Sequence, residues 1–213
     1  MYPLTPSKVY AHEALRNNPD AMTRMRRFLA TMKYAEDAVD WYAHADSIRV
    51  SREVAQWNPD RNVPDWKYCQ PVVFTRFAIT GTLEEDAVYK SRPTDVPLFN
   101  LAHILGYLPH FRLHHSKKED GEGNMVCWPS NFLSVADGCS HGCVYCGTGR
   151  GGKALVIALN VHEYLQQVIR KVMQDNPWQK CFLMMGSADI ATLEPEYGLF
   201  EDFTRLLAEW EDR

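Results

Sequence analysis

The chain has 213 residues, 46% hydrophobic and 12% aromatic, enough for one large domain or two small ones with a substantial core. Its net charge of −4 lacks the basic surplus that is typical of nucleic-acid-binding proteins. No stretch approaches the ~20 apolar residues of a membrane span, and the N-terminus lacks the apolar core of a signal peptide. We therefore expect a cytoplasmic protein without a membrane partner.

The first 65 residues are predicted to be mainly helical. Asn18 and Pro19 are typical of a helix start, with Asn as the cap and Pro in the first turn. The apolar residues that follow recur every three or four positions, as on the buried face of a helix: Met22, Met25, Leu29 and Met32. A second helix is predicted from about Ala35 to Trp57.

A β-branched and aromatic run after Pro71 predicts a strand, which ends at Gly81. The polar segment from Lys117 to Asn124 predicts an exposed loop and a domain boundary. We therefore divide the chain into a mainly helical region with a short β segment at 1–125 and a second region at 126–213.

In the second region, strands are predicted to alternate with helices. Residues 131–137, 154–160 and 181–186 are apolar runs typical of buried strands. Asn160 and Glu163 predict a capping box at the start of a helix. The apolar residues of a last amphipathic helix are Phe200, Phe203, Leu206, Leu207 and Trp210. This alternation predicts βαβ units, a parallel sheet and an α/β fold.

Three of the six cysteines, Cys139, Cys143 and Cys146, lie within eight residues. Neighbouring glycines give the backbone the freedom to wind around one centre, and cysteine thiolates are the usual ligands of iron–sulfur clusters. A [4Fe–4S] cluster held by three cysteines leaves its fourth iron open. A structural zinc site needs a fourth ligand, from His141, Cys127 or Cys181. Three free core cysteines are a poor interpretation, because the residues between the first two are polar.

The spacing C-x3-C-x2-C, with Tyr145 directly before the last cysteine, resembles the signature of the radical S-adenosylmethionine superfamily. The resemblance implies that the cofactor chelates the open iron and is cleaved to a 5′-deoxyadenosyl radical. It also implies that the backbone beside Tyr145 faces the adenine, and that the second region holds the first β/α units of a partial (β/α) barrel.

The run from Ala136 to about Pro195 resembles the spore photoproduct lyase family more narrowly. The similarity lies in the cysteine loop, in the apolar strand that ends at Asn160, and in the run Met-Gly-Ser-Ala-Asp followed by Leu-Glu-Pro. It implies that Ser187 and Asp189 bind the cofactor near its amino end. Asp189 can instead cap the next turn. The hydrogen-donor cysteine of that family corresponds to Gly186 here, and the tyrosine after its third cluster cysteine corresponds to Gly147.

The resemblance therefore predicts an enzyme that uses a [4Fe–4S] cluster and S-adenosylmethionine on a substrate that the sequence does not name. The family resemblance suggests a DNA lesion as the substrate, but the net charge of −4 does not support binding to DNA. About two βαβ units fit after Cys146, so we expect a missing C-terminal part or a partner chain to complete the barrel. We expect Ser187 and Asp189 at the end of the adjacent strand, on the face of the cysteine loop, where open parallel sheets place their ligands. The alternative is a non-catalytic domain with a structural iron–sulfur or zinc site.

Overall fold

The computed structural model describes residues 4–58, 62, 66–79, 131–132, 135–139, 141, 154–170, 174, 182–183 and 189–211. Among these residues the strands are β1 Val9–His12, β2 Asp40–Tyr42, β3 Val72–Thr75, β4 Asn131–Phe132, β5 Ala136–Asp137, β6 Leu155–Ala158 and β7 Phe182–Leu183. The α-helices are α1 Pro19–Met32, α2 Ser47–Gln56, α3 Val161–Tyr164, α4 Glu194–Tyr197 and α5 Leu199–Glu211. A π-helical turn, Leu165–Ile169, continues α3.

Five of the strands form one mixed sheet in the order β2-β1-β3-β6-β5. β1 pairs in parallel with β2 and β3, and β3 pairs in parallel with β6, whereas β5 runs antiparallel to β6. β4 and β7 form a separate parallel pair. The predicted α/β class is confirmed, and the five-stranded sheet is mostly rather than wholly parallel. These strands lie in a row and do not establish a barrel.

Strands from both sides of the boundary suggested between residues 125 and 126 pair in this sheet. β3 lies before the boundary and β6 after it, and they are in register from Val72 opposite Leu155 to Thr75 opposite Ala158. One cluster of buried apolar side chains also contains residues of both regions. The described parts of the two regions therefore share one core.

The start of α1 agrees with the sequence prediction. The strands β1 and β2, which precede and follow this helix, were not predicted. Asn18 accepts a hydrogen bond from the main-chain N–H of Ala21 at 3.0 Å, and Pro19 lies in the first turn. The helix predicted from about Ala35 is wrong in its first half, where β2 and short 3-10 turns precede α2. β1 also lies in a stretch predicted as helical. Both strands are very short, and β1 is buried throughout, so neither shows a clear alternation of polar and apolar residues.

The two faces of the sheet pack against different helices. Side chains such as Val9 and Phe74 enter the larger core, which also contains buried residues of α1, α3 and α5. The alternate positions, such as Tyr10 and Val73, pack with Val50 and Val54 of α2. The connection from β1 to β2 thus covers one face, and the helix between β2 and β3 covers the other. This places β1 where the strand order reverses direction.

Ion pairs join the helices to the rest of the fold on both faces. On one face, Arg24 of α1 lies 2.5 Å from Asp202 of α5, and both side chains are buried. On the other, Glu53 of α2 receives hydrogen bonds from Tyr10 at 2.8 Å and from Lys8 at 3.1 Å. Burial alone would raise the pKa of Glu53, but these bonds and one from Arg49 lower it to about 2.

Asn160 begins α3 but does not form the predicted capping box. Its side-chain oxygen accepts a hydrogen bond from the main-chain N–H of Phe77 at 2.6 Å, and its amide donates to the Phe77 carbonyl at 3.3 Å. The amide also donates to Glu163 at 3.1 Å. The side chain thus joins the ends of β3 and β6, because the buried polar groups of Phe77 need partners.

The predicted last amphipathic helix is present as α5. Phe203 and Leu206 are buried, whereas Phe200 and Leu207 are 38% and 37% exposed. No helix in the described part of the chain is long and apolar enough to cross a membrane.

Candidate functional site

The cysteine segment begins where β5 ends beside β6. Gly138 follows β5 with φ +82°, a conformation that other residues rarely adopt. A Cβ atom added there would lie 1.9 Å from the carbonyl oxygen of Ala154. The backbone at Gly138 therefore lies so close to Ala154, just before β6, that only glycine fits there. This contact helps to determine the position of Cys139, the next residue.

Cys139 is half-buried, and hydrogen bonds hold both its backbone and its sulfur. The side-chain amide of Gln70 donates to the Cys139 carbonyl oxygen at 3.3 Å. The main-chain N–H of His141 donates to Cys139 Sγ, also at 3.3 Å. The first cysteine of the motif is therefore held by contacts both to its backbone and to its sulfur.

Asp189 lies beside this segment. Its carboxylate oxygen Oδ2 is 3.3 Å from Nε2 of His141, between the first two cysteines of the motif. Its other oxygen accepts a hydrogen bond from the main-chain N–H of Ala191 at 3.2 Å and caps the 3-10 turn Ile190–Thr192. Both arrangements considered from the sequence are thus present together: Asp189 caps the next turn and faces the cysteine segment. Its binding to a cofactor stays a prediction.

The position of the cysteine segment relative to the sheet differs from the expectation. Gln70 and Ala154 precede β3 and β6, so Cys139 lies at the amino edge of these parallel strands, not at their carboxyl edge. The reason is the direction of β5, whose carboxyl end meets the amino end of its antiparallel neighbour β6.

The remaining predicted site residues lie outside the described part of the chain: Cys143, Cys146, Tyr145 and Ser187. Among the residues that are described, no group of three or more His, Cys, Asp or Glu side chains could hold a metal ion. Cys139 and His141 are thus the members of the cysteine loop whose geometry is known. Cys139 itself is half-buried, the main-chain N–H of His141 donates to its sulfur, and Gly138 before it lies against the carbonyl oxygen of Ala154.

The sequence analysis does not single out His12, which the structure places at the opposite edge of the sheet. This residue ends β1, and its ring is only 3% exposed. Its Nδ1 atom accepts a hydrogen bond from the main-chain N–H of Ala14 at 3.1 Å. A histidine that ends a four-residue apolar strand is a weak signal, because most buried histidines are structural.

Comparisons of the chain with family models, with curated proteins and with solved structures found no match. The cysteine motif and the contacts of Cys139 are therefore the features that bear on function.

Proposed function

We propose that this chain is a radical S-adenosylmethionine enzyme that resembles the spore photoproduct lyase family. The observation that carries the proposal is the C-x3-C-x2-C spacing of Cys139, Cys143 and Cys146 directly after strand β5. The fixed backbone at Gly138 and the hydrogen bond to Cys139 Sγ support it. The partial barrel of this superfamily belongs to the proposal as well.

In this proposal the three cysteines bind three irons of a [4Fe–4S] cluster, and Tyr145, Ser187 and Asp189 hold the cofactor. When bound, the cluster and S-adenosylmethionine supply a 5′-deoxyadenosyl radical that abstracts a hydrogen atom from the substrate. The main-chain N–H of His141 donates to Cys139 Sγ, and hydrogen bonds of this kind to the ligand sulfurs tune the reduction potential of a cluster.

The route by which hydrogen returns to the product must differ from that of the lyases. Gly186 stands where they carry the donor cysteine, and Gly147 stands where they carry a tyrosine. Neither glycine has a side chain that can give up a hydrogen atom. We therefore propose the first half of the chemistry, radical formation and hydrogen abstraction, without a lyase-type return step.

A second candidate is a structural zinc site, which one contact favours. Histidines that bind zinc usually donate their other ring N–H to a carboxylate, and His141 already faces Asp189 through Nε2. The Nδ1 atom of His141 would then join the three cysteines as the fourth ligand. Under this alternative the domain is not catalytic.

The two candidates are distinguished by reconstituting the full chain anaerobically with iron, sulfide and zinc present together. We expect about four irons and four sulfides per chain, a reduced cluster whose electron paramagnetic resonance spectrum changes on addition of S-adenosylmethionine, and formation of 5′-deoxyadenosine with dithionite. Stoichiometric zinc without retained iron would contradict the enzyme proposal and support the structural site.

Cysteine variants supply the matched control. Replacing Cys139, Cys143 or Cys146 with Ala should abolish the cluster. Cys69→Ala should leave it intact, because Cys69 is exposed and its sulfur contacts Thr5 Oγ1 at 3.7 Å. Equal loss of iron in the Cys69 variant would show that the ligand assignment is wrong.

A further inference from the structure

The carboxyl edge of β2, β1 and β3 has the topology of a ligand site. β1 lies between the other two strands, and the helices that leave this edge cover opposite faces of the sheet. In open parallel sheets the chain connections diverge at such a point and leave a crevice beyond the strand ends, where ligands commonly bind. Topology alone does not identify a ligand, so the side chains at this edge decide what it can bind.

The ring of His12 presents a buried hydrogen-bond donor at the end of β1. Because Nδ1 accepts the bond from Ala14, the neutral ring carries its proton on Nε2. Nε2 is shielded from bulk water and has no hydrogen-bond partner in the part of the chain that the structure describes. A buried donor normally has a partner, so this N–H indicates an acceptor that has still to bind.

An arginine and a second histidine follow the two neighbouring strands close to their ends. Ala11 is in register with Phe74, so Arg76, two residues further, leaves β3 beside the end of β1. His44 follows β2, and its ring centroid is 6.1 Å from that of His12. Burial first, and then the charges of Arg76 and His44, lower the pKa of His12 to about 4. His12 is therefore a neutral donor at neutral pH, next to a fixed positive charge on Arg76.

We propose that His12, Arg76 and His44 form a binding site for a phosphate group. Three donors on three adjacent strand ends match the oxygens of a tetrahedral phosphate better than the two coplanar oxygens of a carboxylate. The three residues differ in burial: His12 is buried, Arg76 is half-exposed and His44 is exposed.

This proposal is independent of the function proposed for the cysteine loop. His12 and Arg76 lie at the carboxyl ends of their strands, whereas Cys139 lies at the amino edge of the same sheet. The phosphate can be a free ion or part of a larger substrate or effector. The test therefore begins with inorganic phosphate and then uses a nucleoside monophosphate to learn whether a larger ligand binds more tightly.

The experiment titrates the full chain with inorganic phosphate by isothermal calorimetry and follows the ring N–H signals of histidine by nuclear magnetic resonance. Arg76→Gln should weaken phosphate binding at least about tenfold, as expected for the loss of a charge-assisted hydrogen bond. His12→Asn should weaken it similarly, because Asn retains an acceptor for Ala14 but has no group at the position of Nε2. In the wild type, the Nε2–H signal of His12 should shift on addition of phosphate.

The matched control is Arg27→Gln, which removes one positive charge from an exposed position on α1. This variant should bind phosphate within about twofold of the wild type, because screened surface charges act weakly at a distance. The proposal is overturned if the wild type does not bind phosphate, if acetate binds as tightly, or if Arg27→Gln loses as much affinity as Arg76→Gln. Loss in His12→Asn counts in its favour only if that variant unfolds at the same temperature as the wild type.

Discussion

At the amino edge of the sheet, hydrogen bonds reach both the backbone and the sulfur of Cys139, whereas at the carboxyl edge the ring of His12 has a buried donor without a described partner. Gly138, Gln70 and His141 supply the contacts of the first edge. The second edge is built from side chains on three separate strands. One edge holds Cys139 through short contacts, and the other leaves the buried Nε2 atom of His12 without a partner in the described part of the chain.

The difference shows that a site can be positioned in two ways. Close backbone contacts position the cysteine segment, so its geometry should be sensitive to the addition of a single methyl group. Strand register positions the carboxyl edge, so its geometry should depend on the hydrogen bonds that join the strand ends. Substitutions at the two edges can therefore be ranked, beginning with the largest expected loss of stability.

The largest effect is expected for Gly138→Ala. The new Cβ would lie 1.9 Å from the carbonyl oxygen of Ala154, which cannot move without disturbing the pairing of β5 with β6, and φ is +82°. Backbone strain and overpacking together should lower the free energy of unfolding by about 4 kcal/mol or more. Urea denaturation measures the loss.

Gly198→Ala is the matched control for this substitution. Gly198 has a similar φ of +68°, but the atom nearest to an added Cβ is Nη1 at the end of the Arg24 side chain, at 3.2 Å, and not a backbone atom. The loss should be about 1–2 kcal/mol, which is the conformational cost alone. Equal losses for the two variants would show that the close contact at Ala154 does not hold the cysteine segment.

At the carboxyl edge, Asn160→Ala should lower the free energy of unfolding by about 2–4 kcal/mol. The substitution leaves the buried N–H and C=O of Phe77 without the partners they have at 2.6 Å and 3.3 Å. Gln167→Ala is the control, because the exposed Gln167 amide makes a long hydrogen bond of 3.4 Å to Glu163. Removing this bond should lower the free energy of unfolding by no more than about 0.5 kcal/mol. A change of less than 1 kcal/mol in the Asn160 variant would mean that water replaces the bonds at this edge.

The contrast between the edges also explains what could be predicted from the sequence. The cysteine motif and Asp189 lie in short local patterns, and the buried methionines of α1 recur at helical spacing. The single strand predicted over residues 131–137 is wrong, because β4 and β5 within it pair in different sheets. The site at the carboxyl edge combines positions 12, 44 and 76, each of which is unremarkable alone. Only the strand order 2-1-3 brings them together, and no local pattern reports strand order.

Two predictions failed because tertiary contacts outweighed local preference. Asn160 and Glu163 have the spacing of a capping box, but Asn160 binds Phe77, which the fold places at the end of the neighbouring strand. β1 and β2 are too short to show the alternation of buried and exposed residues that is typical of strands. The helical patterns on either side of them therefore led to a prediction of helix. The antiparallel direction of β5, which moves Cys139 to the amino edge, likewise depends on pairing that local sequence does not encode.

The smallest expected effect is at Asp189, and two substitutions separate its two contacts. Asp189→Asn keeps an acceptor for Ala191 N–H but weakens the pair with His141. Because Asp189 is about half-exposed, this change should cost less than about 0.5 kcal/mol. Asp189→Ala also removes the cap and should cost about 1 kcal/mol. Thermal unfolding of the two variants measures the difference between them, which is the contribution of the cap.

The same pair of variants then tests whether Asp189 does more than cap a turn. If Asp189 also binds the amino end of S-adenosylmethionine, Asp189→Asn should lower the affinity of the reconstituted protein for the cofactor at least about tenfold, since a charged hydrogen bond is lost. Stability should hardly change, so cofactor binding and folding respond differently to one substitution. If the role of Asp189 is only structural, we expect the opposite result. The Asp189→Asn variant would bind the cofactor as tightly as the wild type, and the Asp189→Ala variant would lose affinity only in proportion to its loss of stability. Equilibrium binding of the cofactor to both variants therefore decides whether Asp189 belongs to a cofactor site or has only a structural role beside His141.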